Sequence, residues 1–353
     1  QFSEHGIVES ANRSAFARWC HVRFAGRNAV KKHNTTTLNN DLTTNLKMLK
    51  TAVIGVGYLG RFHAQKYAAL AESELIGVVD VDPEQGQKVA DELGVPFHTD
   101  FHEILEQVDG VSIVVPTVHH YETAKAFMEN GVHVLLEKPF AATIEEAEYL
   151  EQLSRENNLC LQIGHLERFN PVFTEFQQLI DQPKFIENIR IAPFPKRGTD
   201  VDVILDLMIH DIDLVLAVVG EYPESVEGTG VNIITSTADL ANARLHFPSG
   251  CIADLTASRV SDKAERKMRI FQSGLYLSLD YGTGQARKLQ VDPGSFPDPE
   301  TLRPETFQLE KGDALLAEIE SFLSAVRQGK KPKVTGQDGL NAMRVAWQIK
   351  DQL

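Results

Sequence analysis

TAVIGVGYLGRFHA, Thr51–Ala64, is the stretch on which the fold turns. Its opening is apolar and β-branched, which suits a strand buried on both faces. Gly55, Gly57 and Gly60 then form GxGxxG, and Arg61 to Leu70 reads as a helix. In that setting each glycine has a purpose. The first allows the tight turn, the second lets the backbone approach a pyrophosphate, and the third lets helix pack on strand. A diphosphate then lies at the helix N-terminus against the free N–H groups of the Gly57, Tyr58, Leu59 and Gly60 segment. Asp80, at the end of the next apolar run LIGVVD, is placed to accept from the ribose hydroxyls. A 2′-phosphate would meet that carboxylate, so the spacing favours NAD over NADP. Three glycines alone would only make a turn; strand, helix and acid together make a dinucleotide site.

Outward from this unit, SIVVP, HVLLEKP and LCLQIGH read as further strands, with helices over Tyr121 to Asn130 and Ala141 to Asn157. Alternating strands and helices imply a parallel sheet with right-handed crossovers, a doubly wound α/β fold. Beyond about Phe169 the texture changes to longer alternating runs, VEGTGVNIIT, ADLANARLHF, CIADLTASRV, RKMRIFQSG and LYLSLDYG. FPSG at Phe247–Gly250 supplies a hairpin turn between two of them. This half reads as an antiparallel sheet, and the chain closes with helices over Ala314 to Arg327 and Gly339 to Gln352. The expected organisation is an extension over 1–47, a dinucleotide-binding domain over 48–168 and an α/β domain for substrate and oligomerisation over 169–353.

The extension has no apolar period and carries seven Lys/Arg against three Asp/Glu. It reads as non-native sequence, with a disordered arm or a transit segment as the alternatives. The whole chain has 42% hydrophobic and 24% charged residues, an ordinary globular balance. Its formal charge of −14 opposes a general affinity for nucleic acid or anionic membranes, and no window is apolar enough for a membrane span. Cys20, Cys160 and Cys251 have no CxxC or Cys/His spacing, which argues against a disulfide framework or structural zinc and fits a reducing cytoplasm. His119 and His120 adjoin each other without a third ligand at metal spacing, so no metal is expected.

EKP, Glu137–Pro139, ends a parallel strand, where ligands of open α/β sheets bind. A single lysine is by default a solvated surface residue. Here the strand end aims Lys138 at the cofactor crevice, and the Lys-Pro step keeps it extended and permits a cis peptide. LDLMIHDID, Leu205–Asp213, sets His210 among acids in an apolar run. On a helix, Asp206, His210 and Asp213 share a face, so a carboxylate could orient the imidazole.

GVGYLGRFHA, VVPTVHHYETA, GVHVLLEKPFA, GHLERFNP and LDLMIHDIDL occur in this order, and together they resemble the Gfo/Idh/MocA family of NAD(P)-dependent sugar and polyol oxidoreductases. The resemblance runs from about Met48 to the C-terminus. It implies a Rossmann domain followed by an α/β domain whose open antiparallel sheet makes a homodimer or homotetramer. It implies Lys138, Asp206 and His210 as catalytic residues, with Glu137 and Lys138 beside the cofactor and Pro116, Thr117 and His120 along the nicotinamide side. His210 would act as general base near its ordinary pKa of about 6.5. Met208 stands where the family has glycine, which points to a reshaped pocket.

GHLERFNP, DVILDLMIHDIDL and ADLTASR are similar to the subgroup that oxidises the 3-hydroxyl of UDP-N-acetylglucosamine. An acidic protein must hold a UDP-sugar diphosphate with local cations. Arg168, Lys196, Arg197 and Arg259 are candidates, with Asn170, Lys138 and His210 also facing substrate. Another sugar or polyol such as myo-inositol is the alternative substrate, and a non-catalytic NAD-binding regulator is the alternative of another class.

Overall fold

The structure is a computed structural model that describes residues 48–194 and 201–353. The extension, Lys196 and Arg197 therefore lie outside the described residues.

The opening stretch forms β1 (Leu49–Ile54) and α1 (Tyr58–Ala69). β1 is a central strand: Val53 enters one hydrophobic core while Ala52 and Ile54 enter the other, as side chains alternating across a two-faced sheet must. Further strands are β2 (Ser73–Val79), β3 (Phe97–His98), β4 (Gly110–Ile113), β5 (His133–Glu137) and β6 (Leu161–Gly164). They pair in parallel in the order β3-β2-β1-β4-β5-β6, the doubly wound dinucleotide-binding arrangement. The connecting helices are α2 (Pro83–Leu93), α3 (His120–Glu129) and α4 (Ile144–Glu156). Local chemistry sets their ends. Asp82 caps α2, with Pro83 in its first turn, and Gly94 closes it at φ +68°. Thr143 and Glu146 form a capping box on α4.

The second half supplies α5 (Pro171–Phe176), β7 (Phe185–Ile191), a π-helical turn at Ile204–Met208, and α6 (Ile209–Val219). There follow β8 (Ser225–Val231), β9 (Leu240–His246), β10 (Ile252–Ser258), β11 (Glu265–Gln272), β12 (Leu275–Asp280), β13 (Gln285–Gln290) and β14 (Glu305–Gln308). The eight strands run β14-β13-β12-β11-β7-β10-β9-β8, antiparallel throughout except for the parallel pair β7 and β10. α6 packs on one face of this sheet, over Ile186, Ala253, Leu255, Met268 and Ile270. The other face carries Phe271 in ring contact with both Phe185 and Tyr276.

The chain ends with α7 (Ala314–Gln328) and α8 (Gly336–Lys350). They do not simply extend the second half. Ile319, Phe322 and Leu323 of α7 join Val53, Ala64 and Tyr67 in one core of the parallel sheet, and Leu340 and Met343 of α8 join its other core. Among the described residues no helix is long and apolar enough to cross a membrane.

Candidate active site

The glycine turn has the form its spacing predicts. Gly55 sits at φ +84°, and a Cβ there would lie 2.7 Å from the Val114 carbonyl oxygen. A Cβ on Gly60 would lie 1.8 Å from the Gly55 carbonyl oxygen, so only glycine lets α1 approach β1. Gly57 differs, since a Cβ there would meet nothing within 4 Å. It begins α1 with no side-chain cap, beside exposed Tyr58, part-buried Leu59 and buried Gly60. The open space over an uncapped helix N-terminus suits an anion. Asp80 accepts the Val56 N–H at 2.8 Å and the Asp82 N–H at 2.9 Å, which locks the turn and leaves lone pairs for ribose hydroxyls. These residues fit a dinucleotide.

Pro116 and Thr117 lie on the loop after β4, Pro116 exposed and Thr117 partly so. His120 does not join them at the surface. Its ring is 1% exposed, with Nδ1 2.8 Å from the Pro139 carbonyl and Nε2 2.9 Å from that of Val115. Both ring nitrogens face backbone carbonyls, so His120 braces the loop against the Lys138-Pro139 turn, which is cis. His120 thus supports the loop that carries Pro116 and Thr117, the other residues expected along the nicotinamide side.

Lys138 leaves the end of β5 as expected and reaches into the second half. Its Nζ donates to the Asp206 carbonyl at 2.9 Å and lies 3.7 Å from Asp206 Oδ1. His210 is close enough for the Lys138 charge to act on it. Burial first, then the charges of Lys138, Arg190, His165 and Arg266, push the imidazole well below its ordinary value. His210 is thus neutral at pH 7, which replaces the expectation of an unperturbed group. Its Nδ1 is buried without a hydrogen-bond partner.

The orienting carboxylate does not materialise either. Asp213 is 1% exposed and accepts two bonds from Arg168, at 2.7 and 2.9 Å. The π-helical turn explains part of the difference, because an i→i+5 turn shifts the angular spacing that would align Asp206 with His210. Met208, within that turn, is fully buried in the second-half core. Asp211 pairs with Arg190 at 2.8 Å, and Arg190 also donates to Glu167 at 3.0 Å.

The proposed substrate cations divide. Arg168 is committed to Asp213, and Arg259 is fully enclosed by Asp239, the Val201 carbonyl, Thr235 and Thr237. Burial of a cation is tolerable only with such partners, so neither is free for a phosphate. Asn170 caps α5 by accepting the Val172 N–H and donates to Glu167.

Two groupings have no signal in the sequence beyond their residue types. His165, in the GHLERF segment, presents its ring edge-on to His210, with centroids 6.4 Å apart. Beneath Lys138, His63, Glu137 and Glu318 bring one ligand atom each within 4.8 Å of one another. Glu137 Oε1 accepts from His63 Nε2 at 3.2 Å when that nitrogen carries the proton. Burial raises Glu137, but the His63 bond and the His63 and Lys138 charges outweigh it and hold the carboxyl low. Glu318 is pushed well above the carboxylate range by burial and by Glu137, and neither of its oxygens has a partner. Burial and the neighbouring carboxylate thus favour its neutral form.

A doubly wound sheet with an open glycine turn, and a strand-end lysine bound to the turn that leads into the histidine-bearing helix, define a dinucleotide-dependent oxidoreductase. Residues 49–165 match the model described as the oxidoreductase family with an NAD-binding Rossmann fold, and 191–274 match the GFO/IDH/MocA C-terminal domain. UDP-N-acetylglucosamine 3-dehydrogenase of Acidithiobacillus ferrooxidans is 41% identical over 303 residues, 86% of this chain and 96% of that protein. Its solved structure superposes with a TM-score of 0.81 at 40% identity, covering 87% of this chain and 98% of that one. The NAD-dependent scyllo-inositol 2-dehydrogenase of Bacillus subtilis is 28% identical, over 82% of this chain and 90% of that protein. The chain belongs to the Gfo/Idh/MocA family of NAD-binding oxidoreductases.

Proposed function

We propose that the protein oxidises a ring secondary hydroxyl of a sugar, the 3-hydroxyl of a UDP-N-acetylhexosamine, with NAD. The observation that carries this reading is Lys138 Nζ fixed on the carbonyl of Asp206, four residues before His210, where its charge acts together with burial to keep the imidazole neutral. The relative at 41% identity, named for this reaction, favours the nucleotide sugar over the inositols.

When bound, NAD supplies the acceptor for the hydride leaving the carbinol carbon. The chain's residues do the rest. Neutral His210 takes the hydroxyl proton, a contribution of roughly 10²- to 10⁴-fold in rate for a positioned base. Lys138 donates to the same oxygen and stabilises the developing alkoxide charge. Asp206 acts through Lys138, its backbone carbonyl fixing the ammonium in place. In this reading 48–168 form the cofactor half and 169–353 the substrate half, with the open sheet face as the surface for a second copy, which sedimentation checks.

NADH absorbance followed over UDP-N-acetylglucosamine, myo-inositol and free hexoses tests the reading. UDP-N-acetylglucosamine should give the signal, and His210→Ala or Lys138→Ala should cut turnover at least about a hundredfold while NAD still binds. Reduction with inositol alone would transfer the assignment to the polyol branch. Near-normal turnover of either variant would remove its catalytic role.

A further inference from the structure

We infer that Arg266, with Lys311 of the same cavity, holds the diphosphate of the sugar nucleotide. The inference rests on the UDP-sugar reading above and names the cations such a substrate requires, now that Arg168 and Arg259 are accounted for by buried ion pairs.

The register of β7 and β11 sets Arg266 directly opposite Arg190. Two cations paired across strands repel, a placement that costs stability unless something compensates. Arg190 is compensated: it is 4% exposed and held by Asp211 and Glu167. Arg266 is not. Its carboxylate partner, Glu167 Oε1, stands 3.7 Å away and already accepts from Arg190 at 3.0 Å, and the Arg266 side chain remains 56% exposed. Its charge still reaches His210, where it helps to depress the imidazole. An exposed guanidinium within electrostatic reach of the proposed base is thus left with donors to spare.

Those donors face a cavity of about 800 Å³, which Asn170, Lys263, Lys267 and Lys311 also line. Glu265 holds Lys263 at 2.7 Å and Lys267 at 3.1 Å, and Asp280 lies 3.8 Å from Lys267. Glu310 borders the space as well. With those lysines set against Glu265 and Asp280, Arg266 and Lys311 face Glu310 alone, and the lining keeps an excess of one positive charge. In a chain of net charge −14 such a local excess needs a reason. A guanidinium offers a planar fork of N–H donors matched to phosphate oxygens, and a lysine lining the same cavity supplies a point charge for the second phosphate. The sugar would then extend from the diphosphate toward Lys138 and His210.

Calorimetric titration of the full chain with UDP tests this without requiring turnover. Arg266→Met keeps the aliphatic stem and should weaken UDP binding at least tenfold, Arg266→Lys should recover part of it, and Lys311→Met should weaken it severalfold. NAD affinity should stay within twofold, and the KM for UDP-N-acetylglucosamine should rise with the UDP dissociation constant. UDP that fails to bind the parent, or binds Arg266→Met and Lys311→Met as tightly as the parent, overturns the inference. Should Arg266→Met fail to fold, Arg266→Lys and Lys311→Met decide it alone, and unchanged UDP affinity in both overturns it. A parent that binds UDP through Arg266 yet reduces no NAD with UDP-N-acetylglucosamine refutes the proposed reaction and leaves the diphosphate site standing.

Discussion

A methyl group added at Gly57 and one added at Gly60 would meet opposite fates. At Gly60 it would run into the Gly55 carbonyl oxygen at 1.8 Å, backbone that cannot move without separating α1 from β1. At Gly57 it would project into open space where the diphosphate is expected. Gly57→Ala should therefore fold, losing no more than about 1 kcal/mol as a changed N-cap, and bind NAD at least tenfold more weakly. Gly60→Ala should show its defect first in thermal melting. The reverse pattern would mean that Gly57 does not face the cofactor. The roles of these glycines were legible in sequence because they follow from neighbours a few residues away. Arg168 was not, for its partner Asp213 lies 45 residues on, and nothing in ERF tells a rim cation from a buried one.

At the scale of elements, helix ends were readable where capping chemistry is local. The expected helix over Ala314 to Arg327 is α7 within a residue. Strands β7, β13 and β14 were not identified, and β7 became the sheet's pivot, flanked in parallel by β10 and antiparallel by β11. The π turn was equally hidden, because no residue type announces an i→i+5 bond. Its neighbour α6 is tied down by Asp211 to Arg190 and by Asp213 to Arg168, both pairs buried. Breaking one such pair leaves an uncompensated charge and costs roughly 3–5 kcal/mol, whereas replacing both partners with apolar residues is often neutral. Arg168→Met should accordingly lower the melting temperature, and the double variant Arg168→Met, Asp213→Leu should recover most of it. A single variant that melts normally but raises the KM for UDP-N-acetylglucosamine would return Arg168 to the substrate.

Over the whole molecule, the distant contact of greatest consequence joins α7 to the cofactor half, where Glu318 meets His63 and Glu137. An unfolded chain releases the Glu318 proton near the ordinary value of 4.5, while burial and Glu137 keep it bound in the fold to higher pH. The folded state then binds more protons above pH 4.5, so stability falls as pH rises. The slope is about 1.4 kcal/mol per pH unit and lasts until Glu318 itself ionises. Glu318→Gln, neutral at every pH, removes that slope. Relative to the parent, its melting temperature should be higher at pH 8 than at pH 5, and parallel curves would show that Glu318 is already charged in the fold.

The return of α7 also fixes an order of events in biosynthesis. Residues 49–164 contain every strand of the parallel sheet, yet Phe322 and Ile319 fill the core between that sheet and α1. A nascent chain that has emerged only through β6 must keep this apolar face waiting for about 150 more residues, which at roughly 5–20 residues per second is on the order of ten seconds or more. The second half waits as well, since α8 supplies Ala342, Val345, Ala346 and Ile349 to its core, so neither half closes until the last helices emerge.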